Sequence, residues 1–407
     1  MAGETRPSPR NHGRRNFLIG AGAVTAAVIG GVVYRGVRRG AFSTSEGPAY
    51  ELWETWNADA RAGTPLALVA AGALAASPHN TQPWIFQVQP DRIDLYADRS
   101  RNLGAFDPFL REMYLGLGCA LENMILAGPA NGFAVAPSPQ TGSLNPGYDA
   151  DQPALVATLY LSPSEREPGT LYHAISKRHT NRGPYDRERG LDQADLAALP
   201  EFANGVRQRI FLYTEGEDRE RFDETVVRAT ETIIADEAMA HDSERWFRMT
   251  AAQARRHRDG ITLEANGMHP AMLAIAKMMP AVSGEEAHKI WLRSTKDTHL
   301  ATAPVTGFLA VRSLYDIPQT LDAGRLWQRV HLWAASKGIA MHPLNQPLEV
   351  ADRELYLRRE PDTGRTLEHL TGDPAWKPTF AFRAGYPKRA ALPSPRRALR
   401  DVAVGGA

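Results

Sequence analysis

The stretch Ser77-Pro78-His79-Asn80-Thr81-Gln82-Pro83-Trp84 constrains this chain more than any other. It follows the Ala-rich residues 66–76 and runs into the apolar Ile85-Phe86-Gln87-Val88. Each proline lacks an amide hydrogen and pushes the residue before it toward extended geometry. A helix must therefore stop before Ser77, and a strand can begin only after Pro83. Between them the spacing predicts a rigid loop that presents the short polar side chains of Ser77, Asn80 and Gln82. Such a loop suits a flat, heteroatom-rich ligand, with polar groups at its edge and apolar walls on its faces. The same side chains could instead only satisfy backbone groups where a helix turns into a strand.

The amino terminus carries a second signal. Arg14-Arg15-Asn16-Phe17-Leu18-Ile19 is a twin-arginine pair followed by apolar residues, and a weakly hydrophobic Gly/Ala-rich run continues to Tyr34. This is the layout of a substrate of the twin-arginine export machinery, and it predicts a periplasmic or otherwise extracytoplasmic location. Residues 17–34 are also about as long as a minimal membrane span. No clean A-x-A site follows, and Arg35, Arg38 and Arg39 come directly after. Residues 1–45 are thus read as a signal or as a membrane anchor. Gly20-Ala21-Gly22 loosely echoes a dinucleotide fingerprint, but no strand precedes it and no acidic residue follows at the right distance. Export by this route generally carries folded proteins, so a prosthetic group loaded in the cytoplasm is a fair expectation.

Composition narrows the rest. With 407 residues, 43% hydrophobic and 23% charged, the chain has the make-up of a globular protein with room for two ordinary domains. A formal net charge of +1 gives no global field favouring nucleic acid. Cys119, the single cysteine, lies in an apolar helical run and reads as a small core residue. Histidines are scattered without metal-ligand spacing, and no G-x-S-x-G motif marks a hydrolase.

Taken in order, residues 50–62 and 64–76 read as helices. Residues 85–88 and 93–97 form a hairpin around Gln89-Pro90-Asp91-Arg92. A long helix covers residues 108–127, with Met113, Leu117, Leu121 and Met124 at helical spacing and Asp107 as its cap. A further strand covers 155–161. The plan then restarts, with a helix over 171–177, a polar stretch from Arg178 to Tyr185, a helix opening near Asp192 and a strand over 209–213. A long helix spans 216–240. Residues 241–300 fit no repeat and read as a helical insertion. A second long amphipathic helix covers 322–338, closed by Gly338, and a strand covers 379–386.

With these pieces in place, the chain resembles the nitroreductase-like family. Ser77 to Trp84 looks like the family's flavin loop, P-S-x-x-N-x-Q-P-W. Arg178-His179-Thr180-Asn181-Arg182 looks like its R-R/H-S-x-R/K element, with Thr180 in place of Ser. Pro395-Arg396-Arg397 is similar to its C-terminal basic element, and Gly338-Ile339 to the turn near the flavin ring. The first half has the loop but no R-x-S-x-R in residues 51–65. The second half has the basics, but Pro200-Glu201-Phe202-Ala203-Asn204-Gly205 replaces the loop. The resemblance therefore implies an α+β fold in which two degenerate halves, residues 46–170 and 171–407, are fused into a pseudo-dimer. Each half would hold a mainly antiparallel sheet flanked by helices, with a helical lid at about 241–300 and one FMN site between the halves. The protein would be a monomer or a weak dimer.

The resemblance also implies roles. Arg178, Thr180 and Arg182 alternate, so an extended segment aims all three the same way. Arg178, with Arg396 and Arg397, would hold the flavin's phosphate or ribityl end, and guanidinium forks suit phosphate oxygens. Arg182 would lie near the pyrimidine edge, favouring the anionic reduced flavin. Ser77, Pro78, His79, Asn80 and Gln82 would border the ring or brace the loop that does, and His179, Gly338 and Ile339 would complete the wall. Trp84 reads as packing beneath the loop. Two activities stay open: an oxidoreductase reduced by NAD(P)H and reoxidised by a nitro- or quinone-like acceptor, or a protein that stores FMN without turnover. A third reading is a structural membrane-tethered relic.

Overall fold

Proline at a helix start and proline at a helix end frame the first part of the fold. In a computed structural model the described residues are 44–279 and 284–405, with Tyr34, Gly36, Gly40 and Ala41 placed individually. The twin-arginine pair and nearly all of residues 17–34 lie outside them. After a short helix α1 (Glu51–Thr55), α2 (Pro65–Gly72) opens on Pro65, where a missing amide hydrogen is no loss. The loop from Ser77 then feeds the hairpin β1 (Trp84–Val88) and β2 (Arg92–Ala97), paired from Trp84↔Ala97 to Val88↔Ile93. Next comes α3 (Arg111–Ala130), whose first turn is capped by the Asp107 carboxylate, accepting the amides of Glu112 at 3.1 Å and Met113 at 2.9 Å. Strands β3 (Phe133–Pro139) and β4 (Ala154–Pro163) complete an antiparallel sheet in the order β1-β2-β4-β3.

A second sheet follows the same plan with interruptions. Helix α4 (Gln193–Glu201) leads to β5 (Gln208–Tyr213). Then come α5 (Glu217–Ala235), α6 (Glu237–Glu244), the short β6 (Phe247–Arg248), α7 (Ala251–His257), β7 (Ile261–Thr262), α8 (Pro270–Met278) and α9 (Gly284–Ser294). The plan resumes with β8 (Val305–Val311), α10 (Ile317–Ser336) and β9 (Ala340–Pro343). After α11 (Gln346–Tyr356) and α12 (Asp362–Thr371), β10 (Lys377–Gly385) closes the sheet in the order β5-β8-β10-β9. In both sheets the first, second, fourth and third strands are neighbours in that order, and a 20-residue helix joins the second strand to the third. The tail then crosses back, and β11 (Ala403–Val404) pairs in parallel with β1.

Several elements differ from the sequence reading. The residues between β5 and β8 have no counterpart between β1 and β2, so α5 belongs to the interruption along with residues 241–300. β8 was hidden because all seven of its residues are buried, which removes the alternation that marks a half-buried strand. Residues 171–177 form a 3-10 turn, Tyr172–Lys177, and the 50–62 helix shortens to α1 plus a 3-10 turn at Asp59–Arg61.

Helices α3 and α10 cross at backbone contact. Gly118 and Gly324 are each the eighth residue of their helix. A Cβ on Gly118 would overlap the Leu321 carbonyl, and one on Gly324 would overlap the Leu115 carbonyl. Leu115 and Leu321 are each the fifth residue. One turn further on, Glu122 meets Arg329 at 3.1 Å while Gln328 donates to Asn123 at 2.8 Å, both pairs joining a twelfth residue to a thirteenth. Contacts that repeat with the partners exchanged are those of a two-fold interface. Substituting Gly324→Ala should lower stability by about 1–3 kcal/mol, the usual penalty for overpacking. Urea unfolding measures it, with Gly364→Ala, where an added Cβ meets nothing closer than 3.9 Å, as the neutral control.

Candidate functional site

The loop after α2 is held in an unusual backbone. His79, Asn80 and Gln82 have φ of 47°, 56° and 53°, three non-glycine residues in the left-handed region within four positions. Each costs on the order of 1 kcal/mol and persists only where surroundings enforce it. The enforcing contacts come from three directions. Ser77 Oγ accepts the Gln82 amide at 3.1 Å. Asn80 Nδ2 donates to the carbonyls of Pro395 at 3.0 Å and Gly260 at 3.1 Å, and Gln82 Nε2 donates to Arg258 O at 2.8 Å. Gln82 Oε1 accepts the Arg397 amide at 2.8 Å. The loop is thus clamped between the C-terminal tail and the interruption that carries α7. Its Asn and Gln side chains are spent on protein, and Pro78 sits over Gly116 of α3.

Behind the loop lies a buried pair of arginines. Arg178 and Arg396 are each 2% exposed. Arg178 Nη2 donates to Leu74 O at 3.1 Å, and Arg396 Nη2 reaches Leu74 O at 3.4 Å and Ala75 O at 3.2 Å, so both lean on carbonyls just past the end of α2. Arg396 Nη1 donates to Asn80 Oδ1 and to Ser394 Oγ. Neither arginine pairs with a carboxylate among the described residues, and the Nε of each is buried without a hydrogen-bond partner. Burial pushes Arg178 down to about 10, and burial together with Arg178 holds Arg396 well below the usual range. His179 stacks edge-on against Trp53 at 4.5 Å, and Arg396 lies over the same ring at 4.7 Å. Burial, then Arg178 and Arg396, hold His179 at about 3, and the Nδ1 atoms of His179 and His331 are also buried and unpaired.

The positive character continues along residues 178–182. The Thr180 hydroxyl and the Arg182 guanidinium make no hydrogen bond to the described residues. Burial, then Arg383, lower Arg182 to about 10, and burial, then Arg182, lower His79 to about 4. Arg383 is satisfied, donating to His342 Nδ1 at 3.1 Å and Gly183 O at 2.8 Å. The interruption closes over this segment, since the Arg182 amide donates to Ala265 O at 3.2 Å and His79 Nε2 meets Ser243 Oγ at 3.2 Å.

The residues singled out from sequence therefore divide. Ser77, Pro78, His79, Asn80, Gln82, Arg178, His179, Thr180, Arg182 and Arg396 surround one region where the loop, the tail and residues 178–182 meet. Arg397 joins the same loop at Gln82, donating to Gln82 O at 3.0 Å, but its guanidinium otherwise turns to Asp401 O at 3.0 Å and faces Asp98. Gly338 is exposed with φ 74° and ends α10, Ile339 is core, and no hydrogen bond links either to the arginines. Sequence reasoning missed Trp53, His331 and Arg383. For the last two the available signal was a lone polar residue within an apolar run. A surface cleft of about 530 Å³ lined by Asp223, Arg228 and Lys296 touches none of these residues.

A second buried cluster has the opposite sign. Asp107, Glu112, Glu349 and Asp352 surround Arg111, which bonds Asp352 at 2.8 Å. Burial pushes Glu112 up to about 8, and burial, then Glu112, hold Glu349 well above the usual carboxylate range.

An α+β protein with two like-ordered sheets and a cation-rich interior between loop, tail and residues 178–182 is the class defined so far. No protein-family model matches the chain. It is similar to a protein of Mycobacterium tuberculosis strain H37Rv named "Putative NAD(P)H nitroreductase Rv3131", 24% identical over 338 residues that make up 81% of this chain and 87% of the relative. The equivalent protein of strain CDC 1551 aligns identically well. Among solved structures, the FMN and NADPH-dependent nitroreductase NfnB of Sphigopyxis sp. strain HMH overlaps 59% of this chain and 100% of its own, at 18% identity and a TM-score of 0.39. The FMN-dependent NfnB of Mycobacterium smegmatis overlaps 58% and 97%, at 16% identity and a TM-score of 0.37. Overlaps at these scores fall below the level at which a shared fold follows.

Two outcomes are expected. Sulfate or phosphate, exchanged for chloride at constant ionic strength, should raise the thermal midpoint, and Arg178→Met should lose that gain. Tenfold excess over Kd corresponds to about 1.4 kcal/mol. For Glu112 the folded state keeps a proton that the unfolded chain has lost between the ordinary carboxylate value of 4.5 and about 8. Its contribution is complete below the unfolded value and lost as pH rises through the folded one, at up to about 1.4 kcal/mol per pH unit. Urea midpoints of Glu112→Gln should accordingly fall less steeply from pH 5 to pH 8 than those of the unaltered chain.

Proposed function

We propose that the chain is a flavoprotein of the nitroreductase family that holds one FMN where the loop from Ser77 meets residues 178–182 and the tail. The observation that carries this is the Arg178–Arg396 pair, buried without a carboxylate and with unpaired Nε atoms. A buried cation without a counter-ion is expensive, and a phosphate dianion supplies the missing charge and acceptors. Thr180 and Arg182, unpaired and next in line, suit the ribityl chain and the pyrimidine edge. When bound, FMN supplies the hydride chemistry. The protein's own residues bind its anionic end, place Arg182 as a fixed cation and exclude water beneath the interruption.

In this reading the two like-ordered sheets are halves of a fused pseudo-dimer, residues 46–170 and 171–407, whose two-fold is the α3–α10 crossing. The interruption between β5 and β8 serves as the lid. Residues 1–45 are a twin-arginine signal or anchor, which delivers the protein outside the cytoplasm. NAD(P)H reduces the flavin, as the names of the M. tuberculosis relatives suggest, and a nitro- or quinone-like acceptor reoxidises it. A flavin-sequestering protein without turnover is the second reading, favoured by the hydrogen bonds that draw the interruption onto Asn80, Gln82 and Arg182.

The purified protein should carry FMN near one per chain by its visible spectrum; a ratio near two, or no flavin after reconstitution, counts against the single interface site. Anaerobic NADPH should bleach the flavin if the protein turns over, and leave it oxidised if it sequesters. Arg178→Ala should weaken FMN retention by about 1.5–3 kcal/mol, the worth of a charge-assisted hydrogen bond. Unchanged retention, read by equilibrium dialysis, would remove Arg178 from the site.

A further inference from the structure

Residues 268–279 expose Met268, Met272, Ile275 and Met279, which are 38%, 58%, 48% and 58% accessible. No other stretch of that length among the described residues exposes as many large apolar side chains. On α8 the two faces differ. Leu273 and Lys277, one turn apart, point inward at 2% and 3%, while Met272 and Ile275 lie on the outward face. Lys277 Nζ bonds Glu264 at 2.6 Å and donates to Gly40 O at 3.2 Å. Gly40 is wedged so tightly against α7 that a Cβ there would overlap Ala251. The N-terminal part of the chain thus joins the body beside α7 and α8. Six residues before Gly40, within about 20 Å of extended chain, the sequence ends its apolar run of residues 17–34. At the last turn of α7, Arg255 and Arg256 are exposed.

We propose that the outward face of α8, flanked by Arg255 and Arg256, rests on the surface of an anionic phospholipid bilayer. Nine residues make a helix of about 13.5 Å, too short to span, and no helix among the described residues is long and apolar enough to cross a membrane. A short helix with an apolar face and basic neighbours lies in the headgroup region. Arginines near it add electrostatic attraction to anionic lipid. Gly40 is held between α7 and α8, so the N-terminal part of the chain meets the body at this part of the interruption. The contact would seat the interruption, which also covers residues 178–182, against the membrane.

The test uses the full-length chain reconstituted into phosphatidylglycerol-containing vesicles. Cys119 is buried and its thiol is pushed up to about 12, so it stays unreactive. An environment-sensitive fluorophore on Met272→Cys therefore reports α8 alone, and one on Arg365→Cys, an exposed position on α12, is the control. The expected result is a blue shift with quenching by headgroup-level nitroxide lipid at position 272 and neither change at 365. The reverse results are equally plain. An unshifted, unquenched label at 272 on vesicle-bound protein overturns the proposal, as does failure of the protein to bind vesicles. A blue shift already present without lipid, and dependent on protein concentration, overturns it in favour of a second copy of the chain on this face.

Discussion

The close crossing of α3 and α10 is the constraint on which the rest of the structure depends. Glycine at positions 118 and 324 lets two backbones meet without side chains between them, and the consequences spread from that point. Gly116, half a turn before Gly118, leaves room for Pro78 and Ser77, so α3 seats the loop. Asn123 donates to Ala71 O at 2.8 Å, and Gln328 accepts the Ala76 amide at 3.3 Å, so the crossing also fixes the end of α2. On α10, one turn past Gln328, buried His331 lies beside Arg178 and His179, and burial, then Arg178, hold its pKa well below the usual imidazole range. The same two helices thereby position the loop and residues 178–182 against each other. A larger residue at the crossing would shift both at once.

What the crossing brings together is electrostatically unusual. Buried arginines normally meet carboxylates, as Arg111 does with Asp352. Arg178 and Arg396 instead share the carbonyls after α2, whose helix dipole gives a partial negative charge. That compensation is weaker than a full counter-ion. It leaves donors over, and it places two cations in one small volume. At the junction of α3 with α11 the imbalance runs the other way, with four carboxylates around Arg111, and there protons supply the balance. The acidic cluster can neutralise itself by raising its pKa values, whereas an arginine cannot release its proton near neutral pH. No carboxylate among the described residues balances the basic cluster in the same way.

Much of this was legible in the chain and some was not. Prolines and alternation made β1, β2 and the loop visible, and the cap at Asp107 followed from its place before a helical apolar pattern. The complementary half-motifs at Ser77–Trp84 and Arg178–Arg182 pointed to a meeting that only the tertiary structure could realise. β8 was not visible because burial on both faces erases alternation. Helices α11 and α12 lie in largely polar sequence, yet each turns an apolar face inward, Leu348 and Val350 on α11 and Leu367 and Leu370 on α12. Arg383 and His331 looked like interruptions of apolar runs, since their partners are backbone carbonyls and rings from distant segments. The repeated plan was legible in the restart near residue 171, but the residue-level register of the repeat was not. It shows in the eighth residues of α3 and α10 and in strand order, not in any shared local motif.

The loop's role is also sharpened by its own hydrogen bonds. Its polar side chains look in sequence like ligand contacts, but Asn80 and Gln82 hold Pro395, Gly260 and Arg258. They pose the arginines and tie down the interruption, while free donors remain on Arg178, Thr180, Arg182 and Arg396. The interruption closes onto the loop and residues 178–182 through the hydrogen bonds at Gly260, Arg258 and Ala265, and onto Arg101 through the Asp259 carboxylate. Net contributions near 1 kcal/mol per bond make that closure worth several kcal/mol. An energy of that size permits transient opening, and tightening by one or two further bonds would make opening rare. The attachment of the interruption therefore rests on Asp259 and the carbonyls around it, apart from the arginines behind the loop.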